Sequence, residues 1–169
     1  YLLGRDHALE ALRRNPEFAA ARDEGTKLKD AIPLLVEEDV GPLYWAALNW
    51  SRWGEMKGIL RVALDIPKVR AAMDHCHSLS EDYYEAAVHR FFSAFFTALP
   101  QFAGQDVERA EAHAKRAREI APRHTENQIT EAEYLAVHNR DRARYEALMA
   151  EVLAQPLPPE DDPFYFELL

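Results

Sequence analysis

Apolar side chains recur at helical intervals along almost the whole chain, and almost no segment alternates with a period of two. Residues 5–14 predict a short first helix that stops before Asn15-Pro16. A second stretch over 16–36 repeats Phe18, Ala21, Leu28, Ile32 and Leu35 at looser helical spacing. Gly41-Pro42 punctuates, and Pro42 suits the first turn of a helix over 42–53. Gly54 and Gly58 are expected to bracket a loop or short turn, after which Pro67 opens a helix to about His77. Ser78-x-x-Glu81 has the form of a capping box. The helix behind it carries a wide apolar face of Tyr84, Ala87, Val88, Phe91, Phe92, Phe95 and Leu99. Pro100 and Gly104 break it, and Asp106 caps the next helix. A second capping box, Thr125-x-x-Gln128, starts a hairpin over 126–138 and 141–154 that turns at Asn139-Arg140-Asp141. Tyr145, Leu148, Met149, Val152 and Leu153 share one face of its second arm. Pro156, Pro158 and Pro159 form a stiff linker, and Asp161-Asp162-Pro163 has the form of a further helix start. The residues after that proline make under two turns, so the chain is expected to be a piece of a longer protein, with more helix beyond residue 169.

Two of the predicted helices carry small residues at a spacing that specifies close packing. Ala110, Ala114 and Ala117 form a flat strip at i, i+4 and i+7, and Pro122 ends the turn behind them. That is the second-helix pattern of a tetratricopeptide repeat (TPR), a pair of antiparallel helices in about 34 residues. Ala143, Ala147 and Ala150 echo it, with Pro156 one residue late. The expected architecture is therefore all-α, with TPR-like antiparallel helix hairpins forming a short superhelix. Residues 1–169 form one helical domain, with irregular hairpins over 1–77 and TPR-like hairpins over 78–155. Two departures are plain: the segment from Pro100 to Gln105 lengthens one hairpin, and the N-terminal half shows no clean repeat. The competing expectation is an irregular α-bundle, in which alanines at helical spacing are also common.

Composition narrows the function. The 169 residues, 48% hydrophobic and 29% charged, suffice for one domain with a genuine core. No apolar run is long enough to cross a bilayer. The chain opens at Tyr1 with no methionine and no signal peptide, as expected where a leader or anchor has been removed. A net charge of −9 with no basic stripe argues against nucleic acid and against an anionic membrane surface. The single cysteine, Cys76, excludes an internal disulfide.

Chemistry-bearing motifs are sparse. In His75-Cys76-His77, neighbours on a helix diverge by about 100°, so the three cannot converge on one tetrahedral ion. A helix end, where histidine gains from the negative end of the dipole, accounts for them instead. There is no nucleophile elbow, P-loop or dinucleotide fingerprint, and Glu37-Glu38-Asp39 and Asp161-Asp162 sit beside turns as solvated carboxylates do. No cofactor, metal or catalytic residue is expected. The aromatic clusters stand out more. Trp45, Trp50 and Trp53 follow Leu43 and Tyr44 within a few residues, with Trp45 and Trp53 on one helix face and Trp50 on another. Phe92 and Phe96 share a face turned about 100° from Phe91 and Phe95, so a single core does not easily bury all four. Tyr44, Trp45, Trp50, Trp53, Phe92 and Phe96 are therefore the candidate ligand- or partner-binding residues, against the alternative that they are simply core.

The chain also resembles a known family. Asp39-Val40-Gly41-Pro42-Leu43-Tyr44-Trp45-Ala46-Ala47, with Trp50 and Gly54 following, is its most distinctive element. Tyr83-Tyr84 then leads through the aromatic helix to Pro100-Gln101-Phe102-Ala103-Gly104 and Glu108-Arg109-Ala110, and Asn139-Arg140-Asp141-Arg142 precedes Tyr145-Glu146-Ala147-Leu148. In this order the segments resemble the TatT family, the TPR-containing periplasmic component associated with TRAP (tripartite ATP-independent periplasmic) transporters. The resemblance implies a periplasmic, lipid-anchored protein of helical hairpins that self-assembles. It also implies docking of an extracytoplasmic solute-binding protein and a hydrophobic channel that passes or holds an apolar ligand; the leading expectation is a component that binds such a protein and an apolar or organic-acid ligand. The lipobox cysteine of such an anchor is missing from this sequence, and the resemblance carries over no catalytic residue. A generic TPR-like adaptor that grips a peptide or helix in its concave groove is the second expectation, and a helical enzyme with a site assembled from distant residues the third.

Overall fold

The computed structural model describes residues 1–156, and every regular element among them is helical. Helix α1 (Leu2–Leu12) leads to α2 (Pro16–Asp23) and the short α3 (Leu28–Ala31), followed by 3₁₀ turns at Ile32–Leu34 and Glu37–Asp39. The single helix expected over 16–36 is thus broken, because Gly25 takes a left-handed φ of 87° and Pro33 tightens the chain into a 3₁₀ turn. Asn15 ties this region together. Its side chain accepts from the Phe18 amide at 3.0 Å, capping α2, while its own amide donates to Asp39 at 2.7 Å.

The long hairpin that follows differs from its predicted form. Helix α4 spans Val40–Lys57 and α5 spans Ile59–Leu79, joined by Gly58 alone. Gly58 has φ 94° and ψ 172°, backbone that essentially only glycine adopts. Gly54, expected in a loop, is buried inside α4 against Val62. Pro67, expected to open a helix, lies inside α5. Val69, Ala72, Met73 and Cys76 continue one buried stripe past it. Their burial outweighs the roughly 3 kcal/mol that an interior proline costs. Val40 and Cys76, like Gly54 and Val62, face each other at equal distances from Gly58, which fixes the two helices as antiparallel. Helix α1 lies antiparallel along α4, with Gly4 against Asn49 and the Arg5 guanidinium 5.1 Å from the Trp50 ring centre.

Helix α6 (Tyr83–Ala98) and helix α7 (Val107–Ile120) make the second hairpin. The capping box predicted before α6 does not form: Ser78 sits in the last turn of α5, donating to the His75 carbonyl at 2.8 Å, and Asp82 precedes the helix. Asp106 does cap α7, accepting from the Arg109 amide at 3.0 Å. Ala110, Ala114 and Ala117 are buried, as their spacing requires. Helix α8 (Thr125–Thr130) widens into a π-helical segment over Glu131–Ala136, and α9 (Arg142–Leu153) completes the last hairpin. Here too the predicted box is absent, since Gln128 turns away to donate to the Pro122 carbonyl at 3.0 Å. The Asn139–Asp141 turn forms as expected, with Arg140 left-handed at φ 54° and Asp141 capping α9. Ala143, Ala147 and Ala150 are exposed, so the second alanine strip is not covered as the first one is. The helix start at Asp161-Asp162-Pro163 and the linker prolines Pro158 and Pro159 lie outside the described residues.

Charged pairs bind successive hairpins. Arg118 reaches Glu151 at 2.6 Å, and Arg144 grips Glu111 with two bonds of 2.6 Å while also holding buried Glu131. Both α7–α9 pairs span 33 residues, so the two helices run the same way one unit apart. That offset is compatible with the 34-residue period of TPR packing. Among the described residues no helix is long and apolar enough to cross a membrane.

Candidate ligand cavity

Helices α4, α5, α6 and α8 enclose a cavity of about 740 Å³. Its size falls within the range of small-molecule sites. The walls are mainly aromatic and aliphatic: Tyr44, Trp45 and Leu48 from α4, Val62 and Val69 from α5, Phe91 and Phe95 from α6, and Ile129 from α8. Of the candidates named from sequence, Tyr44, Trp45 and Trp50 line it. Tyr44 is buried, and loss of water pushes its phenol up to about 12. Trp45 is 41% exposed and makes edge contacts with Tyr44 and Tyr84 at 5.4 and 5.8 Å. Trp53 is not part of the wall, and the Arg61 guanidinium stacks 4.3 Å from its ring centre.

The phenylalanines divide by face. Phe92 and Phe96 are 2% and 1% exposed and lie in the core, stacked on His113 of α7 at 5.0 and 5.9 Å. Phe91 and Phe95, on the other face of α6, stack on each other at 5.5 Å and face the cavity. Two faces of α6 are used, as the sequence implied, and the cavity takes the pair that sequence analysis did not nominate.

Polar groups enter the wall at few points. Arg90, 6% exposed, donates to the carbonyls of Tyr84 and Glu85 and to Asn127 Oδ1 at 2.9 Å, and pairs with Glu126 at 3.2 Å. These bonds hold an unusual backbone. Tyr84, Glu85 and Ala86 all have left-handed φ, from 46° to 66°, a conformation that costs an L-residue roughly 1–2 kcal/mol. The guanidinium takes up the carbonyls that this reversed turn leaves without helical donors. Opposite, Asp65 is 3% exposed and bonded to Arg61 at 2.5 Å and Lys68 at 3.4 Å. At the rim Arg52 pairs with Glu55 at 3.2 Å and meets Tyr134 of the π-helical segment at 3.4 Å. Trp50 lines the cavity, and its Nε1 is buried with no hydrogen-bond partner.

Arg90, Asp65 and Tyr134 escape sequence analysis because no local motif joins them; the only signal is a lone arginine amid the aromatic positions of α6. The His75-Cys76-His77 triplet diverges as helix geometry requires. His75 Nε2 lies 3.0 Å from the Leu35 carbonyl, and Cys76 is fully buried with its thiol pushed up to about 12 by loss of water. His77 instead meets Glu81 and His89, whose ligand-capable atoms lie within 4.8 Å of one another.

The model of the TRAP transporter T-component family, TAtT, matches residues 1–164. The chain belongs to that family. T-components are accessory components of TRAP transporters and in general extracytoplasmic. No curated protein matches the sequence of this T-component.

Proposed function

We propose that this T-component is a non-enzymatic, periplasmic, lipid-anchored partner of a TRAP solute-binding protein, and that its cavity holds a small apolar ligand. The observation that carries the ligand is the cavity of about 740 Å³ with its mainly aromatic and aliphatic walls. An apolar molecule would replace water along these walls. A carboxylate ligand is the weaker choice. The wall cations Arg90 and Arg52 are already engaged by Glu126 and Glu55, and Asp65 adds a further buried carboxylate. Exposed Leu60 and Leu64, one turn apart on α5 at 81% and 70%, and Met56 at 72% supply a surface for self-association.

Native mass spectrometry of the purified protein tests the ligand directly. The expected result is a co-purifying apolar molecule that is released by denaturation and whose rebinding quenches tryptophan fluorescence. Trp50→Phe trims the indole of the wall to a smaller phenyl ring and should weaken rebinding roughly tenfold, about the worth of two buried methylene groups. No bound or bindable apolar molecule would sink the ligand assignment. Capture of the cognate solute-binding protein on immobilised T-component tests the partner. Retention of a helical peptide in its place would favour the generic adaptor.

A further inference from the structure

On the far side of α6 from the cavity, four chemistry-bearing side chains from separate elements converge. His77 comes from the last turn of α5, Glu81 from the turn before α6, His89 from α6 and His113 from α7. The His89 ring lies 4.9 Å from His77, edge to face, and its Nδ1 is 2.9 Å from His113 Nδ1. Its other nitrogen, Nε2, is 3.3 Å from Glu81 Oε2. One ligand-capable atom from each of His77, Glu81 and His89 falls within 4.8 Å of the other two. Around a tetrahedral ion with bonds of about 2.0–2.1 Å, ligand atoms stand about 3.4 Å apart.

Two tautomer sets meet the hydrogen-bond pattern: His89 Nε2–H donates to Glu81 while His113 donates from Nδ1, or His89 donates from Nδ1 to His113. Two neutral imidazoles joined Nδ1 to Nδ1 need one donor and one acceptor. If His89 donates from Nδ1 to His113, its Nε2 presents a bare lone pair toward a carboxylate oxygen, and a cation is what joins two such acceptors. Arg116 bonds Glu81 Oε1 at 2.5 Å and reaches Oε2 at 3.3 Å. The cluster opens on a surface recess that His77 and Glu81 line with Glu37, Asp82 and Arg116, three carboxylates to one guanidinium.

We propose that His77, Glu81 and His89 bind a divalent transition-metal ion of the zinc class, with His113 as a positioning residue that accepts from His89 Nδ1–H. Two imidazoles and one carboxylate from three elements are the donor set of an open zinc site, and an imidazole ligand held through its second nitrogen is the usual outer support. Stacking of His113 on Phe92 and Phe96 fixes that support in the core. The proposal stands independently of the cavity ligand.

Calorimetric titration of chelator-stripped protein with ZnCl2, paralleled by Co2+ absorption spectra, tests it. The expected result is one ion per chain and a cobalt spectrum of low coordination number. His77→Ala and Glu81→Gln should abolish that stoichiometric binding while circular dichroism shows the helices intact. His113→Phe, which preserves the ring stack, should weaken it roughly 10–100-fold. Should the ligand variants unfold, paramagnetic shifts of the His77 and His89 ring protons on adding Co2+ to the unaltered protein decide instead. Absence of stoichiometric zinc or cobalt binding, binding unchanged by His77→Ala and Glu81→Gln, or no shift at those rings would overturn the site.

Discussion

At the residue scale, burial separates side chains that composition treats as equal. Phe92 and Phe96 share the α6 face that meets α7 and His113, whereas Phe91 and Phe95 border empty volume. Truncating a core phenylalanine removes its transfer free energy and leaves a cavity, a loss of about 3–5 kcal/mol. Phe92→Ala should therefore cost that much in chemical denaturation. Phe95→Ala, at a half-buried wall position, should cost clearly less and change ligand affinity more. Equal losses in the two variants would mean that the cavity is collapsed in solution.

At the scale of elements, the joints decide the geometry. Gly58 connects α4 to α5 with no residue to spare, and a Cβ there would meet nothing within 4 Å. Any penalty for Gly58→Ala is thus backbone conformation alone, on the order of 1–3 kcal/mol for a non-glycine residue in this region. Urea denaturation of that variant should show such a loss. An unchanged midpoint would mean that the hairpin re-forms with a different turn. The joints between hairpins are electrostatic. Glu111 is held below its ordinary value of 4.5 chiefly by its bonds to Arg144. Its carboxyl takes up a proton more readily in the unfolded chain, so its contribution is present above pH 4.5 and is lost as pH falls through the depressed folded value. The melting temperature should drop on acidification below about pH 4.5, and Arg144→Met should make that drop shallower. Parallel curves for the two proteins would show that the α7–α9 clamp contributes nothing in solution.

At the scale of the whole molecule, the hairpins enclose a cavity on one side of α6 and bury a core on the other, leaving Leu60 and Leu64 outside. If that outer face is where copies meet, replacing both leucines with glutamate places charge in the contact at no cost to the core. Light scattering at micromolar concentration should then show the unaltered protein as an oligomer and the Leu60→Glu/Leu64→Glu variant as a monomer. Monomers in both cases would remove this face from consideration.

The sequence by itself determined the helical class, the Asp106 cap and the turn at Asn139–Asp141, because these rest on contacts only a few residues apart, and its motifs in order marked the family. It also implied that a single core does not easily bury both aromatic faces of α6. It misplaced what depends on partners distant in the chain. Pro67 reads locally as a helix start and Gly54 as a loop, yet burial against facing helices carries α4 and α5 through both. The serine and threonine of the two apparent capping boxes lie within helices instead of before them, and Glu81 and Gln128 are drawn to Arg116 and to the Pro122 carbonyl. The alanine strip on α7 is covered and its echo on α9 is not, since a spacing specifies a flat face but not a neighbour. Only the tertiary structure chose Phe91 and Phe95 for the cavity, placed Arg90 beneath a reversed turn and brought His77 to His89 and His113. Those choices follow from which helices pack together, and periodicity along one strand of sequence carries no term for that.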